Sequence, residues 1–148
     1  MDNIVIEKLI SDEVNYIKDI EDKQNINIIS KNNIIEDLKN NQALYYSLKL
    51  NNKIIGYISF SIIAENMDIQ SIVIAKEYQH MGYGTILLNF ALEYAMKNGV
   101  SNVFLEVRKS NKNAICLYTK MGFDYINTRK RYYPDNFEDA LIYKKKIY

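Results

Sequence analysis

The feature of this sequence that most restricts its fold is a change of apolar period near Gly84. Upstream the pattern is largely extended. Residues 43–50 and 53–63 are two runs joined at Asn51-Asn52, a pair that tolerates positive φ and fits a tight hairpin, and 68–75 reads as the next strand. Downstream, Leu87, Phe90, Ala91 and Tyr94 recur at three- and four-residue steps and Gly99 offers a C-terminal cap, so a helix follows. Residues 103–107 then read as a strand, 111–121 as a helix stopped by Gly122, and 123–127 and 139–147 as two last strands around a Tyr-rich loop. At the start, 4–9 alternates as a first strand. Ser11 is placed to cap a helix carrying Val14, Ile17 and Ile20, and Ser30 to cap a short one carrying Ile34, Ile35 and Leu38. Seven strands and four helices in this order predict an α/β (α+β) fold: a mixed sheet flanked by helices, with a meander over 43–75 and a parallel unit over 68–107.

Composition narrows the class further. With 148 residues, 48% of them hydrophobic and 25% charged, the chain reads as an ordinary globular domain. No repeat or Gly/Ser/Pro linker divides it, so residues 1–148 are expected to form a single domain. The net charge is +1 and only three of the nineteen basic residues are Arg, which implies no general hold on nucleic acid. The longest mostly apolar run, 54–64, is far shorter than the roughly 18 residues of a spanning helix, so no membrane is expected. Cys116 is the sole cysteine, and the start MDNIVIEK has no basic or apolar leader; both suit a cytoplasmic protein.

Gln79-His80-Met81-Gly82-Tyr83-Gly84 lies between a strand and a helix start, where free N–H groups and the helix dipole favour a phosphate and glycine lets an anion approach. A plain strand-to-helix turn would have the same spacing. Rival nucleotide motifs fail, because position 87 is Leu where a dinucleotide fingerprint needs Gly, and no Gly-Lys-Ser/Thr follows. Glu106 shares a strand face with Phe104 and Arg108, opposite Val103, Leu105 and Val107; it is either a salt-bridged strand residue or a general base beside a cleft. Tyr118 stands at helical spacing from Ala114 and Met121, as a packing residue or a proton donor. His80 reads as a solvent-facing turn residue, Cys116 as a buried small hydrophobe between Ile115 and Leu117, and Lys144-Lys145-Lys146 as a solvated strand edge or tail. One His and one Cys give no zinc spacing, so no metal is expected.

Together these segments resemble a known family. Ser71-Ile72-Val73-Ile74-Ala75 followed by QHMGYG, and LEVRKSNKNAICLYTKMGF over 105–123, are similar to the GNAT acyltransferases, whose acetyl-CoA motif is Gln/Arg-x-x-Gly-x-Gly/Ala after a strand. Within that superfamily, LEVR-x-SN, LY-x-x-x-GF and RYYPDNFEDA over 131–140 look like the RimI type, which acetylates the N-terminal alanine of a small-subunit ribosomal protein. The likeness is specific from about residue 54 onward. Region 25–30 lacks the Phe-x-x-Pro-Trp usual in that type, and Asp68 and Ser71 stand where Glu and Asn are common.

The resemblance implies a mostly antiparallel seven-stranded sheet whose fourth and fifth strands are parallel and splayed. It makes Glu106 the general base, Tyr118 the general acid and Asn111 a contact to coenzyme A near the thiol end of its arm. It assigns Ile72, Val73 and Ile74 to the acetyl and pantetheine arm, Gln79, His80, Met81, Gly82, Tyr83 and Gly84 to the pyrophosphate, and Tyr132 and Tyr133 to the peptide entrance. Pantetheine amides suit a strand edge, and an N–H near Val73 suits the thioester carbonyl. The implied activity is acetyl transfer from acetyl-CoA to a protein N-terminal α-amine, with a ribosomal protein as partner. Two alternatives are an acetyltransferase for a small amine, such as a polyamine or antibiotic, and a non-catalytic acyl-CoA-binding module; an acid–base pair argues against the second.

Overall fold

The structure, a computed structural model, describes residues 1–147. Its elements are β1 (Ile4–Lys8), α1 (Val14–Asp22), α2 (Lys31–Asn40), β2 (Leu44–Leu50), β3 (Lys53–Ile63), β4 (Asn66–Ile74), α3 (Tyr83–Lys97), β5 (Asn102–Arg108), α4 (Lys112–Lys120), β6 (Asp124–Arg129) and β7 (Ala140–Lys146). Short 3-10 turns lie at Ser11–Glu13 and Lys76–Tyr78. The strands form one mixed sheet in the order β1-β2-β3-β4-β5-β7-β6. The β4–β5 ladder is parallel and runs from Asn66↔Asn102 to Ile69↔Leu105. Among the described residues the pairing stops at Ile69, so it covers only the first part of β4.

The chain forms two compact units, one of Met1–Ser61 with Gln70–Leu92, the other of Ile62–Ile69 with the residues from Glu93 onward. In the first, the β2–β3 hairpin turns at Asn51 and Asn52, whose φ values of 50° and 69° match the positive φ that a two-residue hairpin loop demands. The apolar side of α1 is as the spacing predicts, with Val14 and Ile17 fully buried against Ile34, Tyr45, Tyr57 and Val73. Ser30 caps α2, accepting from the Asn33 N–H at 3.2 Å. Ser11 does not cap α1. It lies inside the 3-10 turn, and the Glu13 carboxylate instead accepts from the Ile10 N–H at 3.1 Å. Glu21 is fully buried, but its charge is paired: Oε1 lies 2.5 Å from Lys18 Nζ and Oε2 accepts from the Tyr57 hydroxyl at 2.8 Å. Lys18 also donates to Asn27 Oδ1 and the Ile29 carbonyl, which ties down the region 25–30.

In the second unit Val103, Leu105 and Val107 are buried on one face of β5, as the alternation predicts. Gly99, at φ 70°, ends α3, and the Val100 N–H bonds back to the Ala95 carbonyl at 3.0 Å. Two expectations change here. Cys116 is exposed rather than buried, since adjacent helical positions point about 100° apart and α4 buries no side chain completely. Lys144, Lys145 and Lys146 lie on β7, which is interior, hydrogen-bonded to β5 and β6; the edge strand on this side of the sheet is β6. No helix among the described residues is long and apolar enough to cross a membrane.

Candidate active site

The donor segments lie in the first unit. Val73 is buried, with Ile72 and Ile74 half-exposed on either side of it. The end of β4 is held unusually close to β3: a Cβ on Gly56 would lie 2.6 Å from the Val73 carbonyl oxygen and 2.8 Å from Ile74 Cδ1. Just before Gly56, Ile55 is an extra residue in the β2–β3 register, and its carbonyl accepts from the Ala75 N–H at 2.7 Å. Sequence reading did not single out Gly56. Its signal was a lone glycine inside an otherwise apolar strand.

The turn from Gln79 to Gly84 opens α3 as expected. The first helical bond runs from the Ile86 N–H to the Gly82 carbonyl at 3.1 Å, so the amides just before it have no acceptor within the helix. His80 is exposed at φ 62°, and Gly82 has φ 91° with no atom within 4 Å of where a Cβ would stand. Amides without a helical acceptor and open space at a helix start are what an anion requires. The Gln79 side chain is turned inward instead: its Nε2 donates to Gln24 Oε1 at 2.7 Å and to the Ile74 carbonyl at 3.0 Å. Gln24 donates to the same carbonyl at 2.9 Å. Gln79 therefore braces the turn through its side chain.

A cavity of about 490 Å³ also lies in this unit, walled by Tyr16, Ile20, Lys53, Ile54, Lys76 and Tyr78. It shares no lining residue with 72–74 or 79–84, but its wall includes Ala75, Lys76, Glu77 and Tyr78, the residues that join those two segments.

The second unit holds the candidate acid and base. Glu106 stands on β5 beside Phe104 and Arg108, with its side chain 32% exposed, and Oε1 pairs with Arg129 Nε at 3.2 Å. Tyr118, on α4, is half-buried against Phe123, ring centroids 6.1 Å apart. Burial, reinforced by the neighbouring Tyr133 phenol, pushes its pKa up to about 12. The group thus keeps its proton at neutral pH, as an acid must. Tyr133 is influenced in turn by Arg108, Glu106, Tyr132 and Glu138; burial raises its pKa above the ordinary value, against the pull of Arg108. Tyr132 is exposed and meets Tyr133 edge-on, centroids 5.2 Å apart. Asn111 caps α4 by accepting from the Ala114 N–H at 3.2 Å, which leaves its NH₂ group free of that bond. Sequence reading gave no role to Arg108 or Arg129. Among the described residues no cluster of His, Cys, Asp or Glu could hold a metal.

Comparison with known proteins bears on the class. Residues 9–123 match the family model described as acetyltransferase (GNAT) family. The chain belongs to the GNAT family of acetyltransferases, which take their acetyl group from acetyl-CoA. It is similar to a [ribosomal protein bS18]-alanine N-acetyltransferase of Haemophilus influenzae, 41% identical over 100 residues, covering 66% of this chain and 68% of the relative. An N-alpha-acetyltransferase of Sulfurisphaera tokodaii is 32% identical over 122 residues, covering 73% of this chain and 72% of that protein. Among solved structures, the ribosomal-protein-S18-alanine N-acetyltransferase of Escherichia coli superposes with a TM-score of 0.89 at 27% identity, over 98% of this chain and 94% of that one.

Proposed function

We propose that the protein works as one catalytic domain in the cytoplasm and acetylates the N-terminal α-amine of a protein, the favoured acceptor being a small-subunit ribosomal protein that begins with alanine. The observation that carries this reading is the 41% identity to a bS18-alanine N-acetyltransferase, joined to a proton-holding Tyr118 and a carboxylate at Glu106. Chemistry favours an α-amine as well. Its pKa of about 7.7–8.0 leaves roughly a tenth neutral at pH 7, against well under a thousandth for a lysine near 10.4.

Acetyl-CoA supplies the activated thioester. In this reading the 79–84 turn binds its diphosphate, Ile72, Val73 and Ile74 seat the pantetheine arm, and a main-chain N–H near Val73 draws charge from the thioester carbonyl. Asn111 contacts the arm through its NH₂ group. Glu106 accepts a proton from the acceptor amine, directly or through water, as the C–N bond forms. When the C–S bond breaks, the Tyr118 hydroxyl donates its proton to the sulfur. Tyr132 and Tyr133 line the path of the acceptor peptide. Arg129 must release Glu106 for the base to act, and the neutral α-amine that then attacks gives the freed carboxylate one proton.

The test is a competition assay. The protein is given acetyl-CoA, an Ala-starting peptide and spermidine at equal concentration, and products are read by mass spectrometry. The peptide should be acetylated at least tenfold faster; preference for spermidine would refute the proposal.

A further inference from the structure

The Arg of LEVR received no role from the sequence, yet Arg108 has several partners at once. From β5 its Nη2 grips both carboxylate oxygens of Asp135, at 3.1 and 3.2 Å. Nη1 reaches Asn136 Oδ1 at 3.3 Å and Glu138 Oε1 at 3.4 Å. The guanidinium carbon lies 3.9 Å from the centroid of the Tyr133 ring. Glu138 returns to the same region, its Oε2 accepting from the Ser110 N–H at 2.6 Å. The loop between β6 and β7 is also closed on itself, with the Tyr132 and Tyr133 amides donating to the Glu138 carbonyl and the Phe137 amide to the Tyr133 carbonyl.

We infer that Arg108 is the positioning residue of the acceptor side, fastening the β6–β7 loop to β5 and holding the Tyr133 ring in place. This rests on the reading of Tyr132 and Tyr133 as the peptide entrance. A planar guanidinium is required, because one group must bind a carboxylate through two oxygens while its face lies on an aromatic ring, and a lysine ammonium cannot do both. The proposal separates Arg108 from Glu106, two residues earlier on the same strand face. Glu106 meets the amine; Arg108 sets where the peptide lies.

The experiment compares the parent with Arg108→Met, Arg108→Lys and, as a surface change that leaves β5 intact, Asp135→Ala. Amide hydrogen exchange at 131–139, acetyl-CoA affinity by calorimetry and steady-state kinetics on an Ala-starting peptide are measured. Arg108→Met should speed loop exchange and raise KM for the peptide about tenfold or more, with acetyl-CoA affinity within about twofold of the parent. Arg108→Lys should not restore KM, and Asp135→Ala should show the same change in smaller measure. An unchanged peptide KM overturns the proposal, whether or not the loop loosens; should Arg108→Met not fold, the Asp135 variant decides by the same criterion. If the parent binds acetyl-CoA but modifies no peptide, it is the α-amine reading that fails, and unchanged loop exchange in the variants then removes the role of Arg108 as well.

Discussion

At the scale of single residues, the proposed mechanism moves two protons. In it Glu106 takes one from the amine and Tyr118 gives one to the thiolate, so Glu106→Gln and Tyr118→Phe keep shape while deleting proton transfer. Each is expected to lower turnover on an Ala-starting peptide by about 10²–10⁴ while leaving acetyl-CoA binding nearly unchanged. The pH dependence follows from the Tyr118 pKa of about 12. A raised phenol pKa keeps the acid protonated throughout the range in which the α-amine, at about 7.7–8.0, loses its own proton. The parent rate should therefore climb through the amine pKa and show no fall from Tyr118 ionisation below about pH 10. A decline setting in at pH 8–9 that is absent from Tyr118→Phe would contradict the assignment. The sequence revealed the residue types and the strand face of Glu106. It did not reveal its ion pair, because Arg129 meets Glu106 only after β6 folds against β7 and β7 against β5.

At the scale of elements, periodicity was a sound guide wherever burial follows it. Val14 and Ile17 on α1 and Val103, Leu105 and Val107 on β5 are buried as their spacing demands. Where the choice is between two polar groups, local sequence was insufficient. Ser11 and Glu13 both suit the start of α1, and the chain uses the carboxylate. The partners of Arg108 were out of reach for another reason: Asp135 and Glu138 lie 27 and 30 residues away, so only the topology brings them to β5. Gly56 offers the sharpest test at this scale. A methyl group there would be forced to 2.6 Å from a main-chain oxygen, which cannot rotate aside. Gly56→Ala should cost about 1–3 kcal/mol in denaturant unfolding and shift the end of β4, weakening acetyl-CoA binding. Unfolding at the parent midpoint would show that the strands have more room than their spacing implies.

At the scale of the whole molecule, the donor-side segments match the family pattern more closely than the acceptor side does. Region 25–30 is fastened by Lys18 and the buried Glu21 in place of aromatic and proline residues, and Ser71 bonds to Ser59 on the neighbouring strand. The fold was legible in the sequence where an element buries a periodic face, as α1 and β5 do, and less so at α4 and β6, which bury no side chain completely. The ties of the β6–β7 loop to Arg108 were not legible, because its polar partners there are distant in sequence. The central claim is that the protein modifies an α-amine. One peptide that begins with alanine and carries an internal lysine, incubated with acetyl-CoA and fragmented by tandem mass spectrometry, addresses it most directly. The acetyl group is expected on the alanine nitrogen in at least nine of ten modified molecules, by the roughly hundredfold or greater difference in neutral amine. An acetyl group found mainly on the lysine would contradict the account.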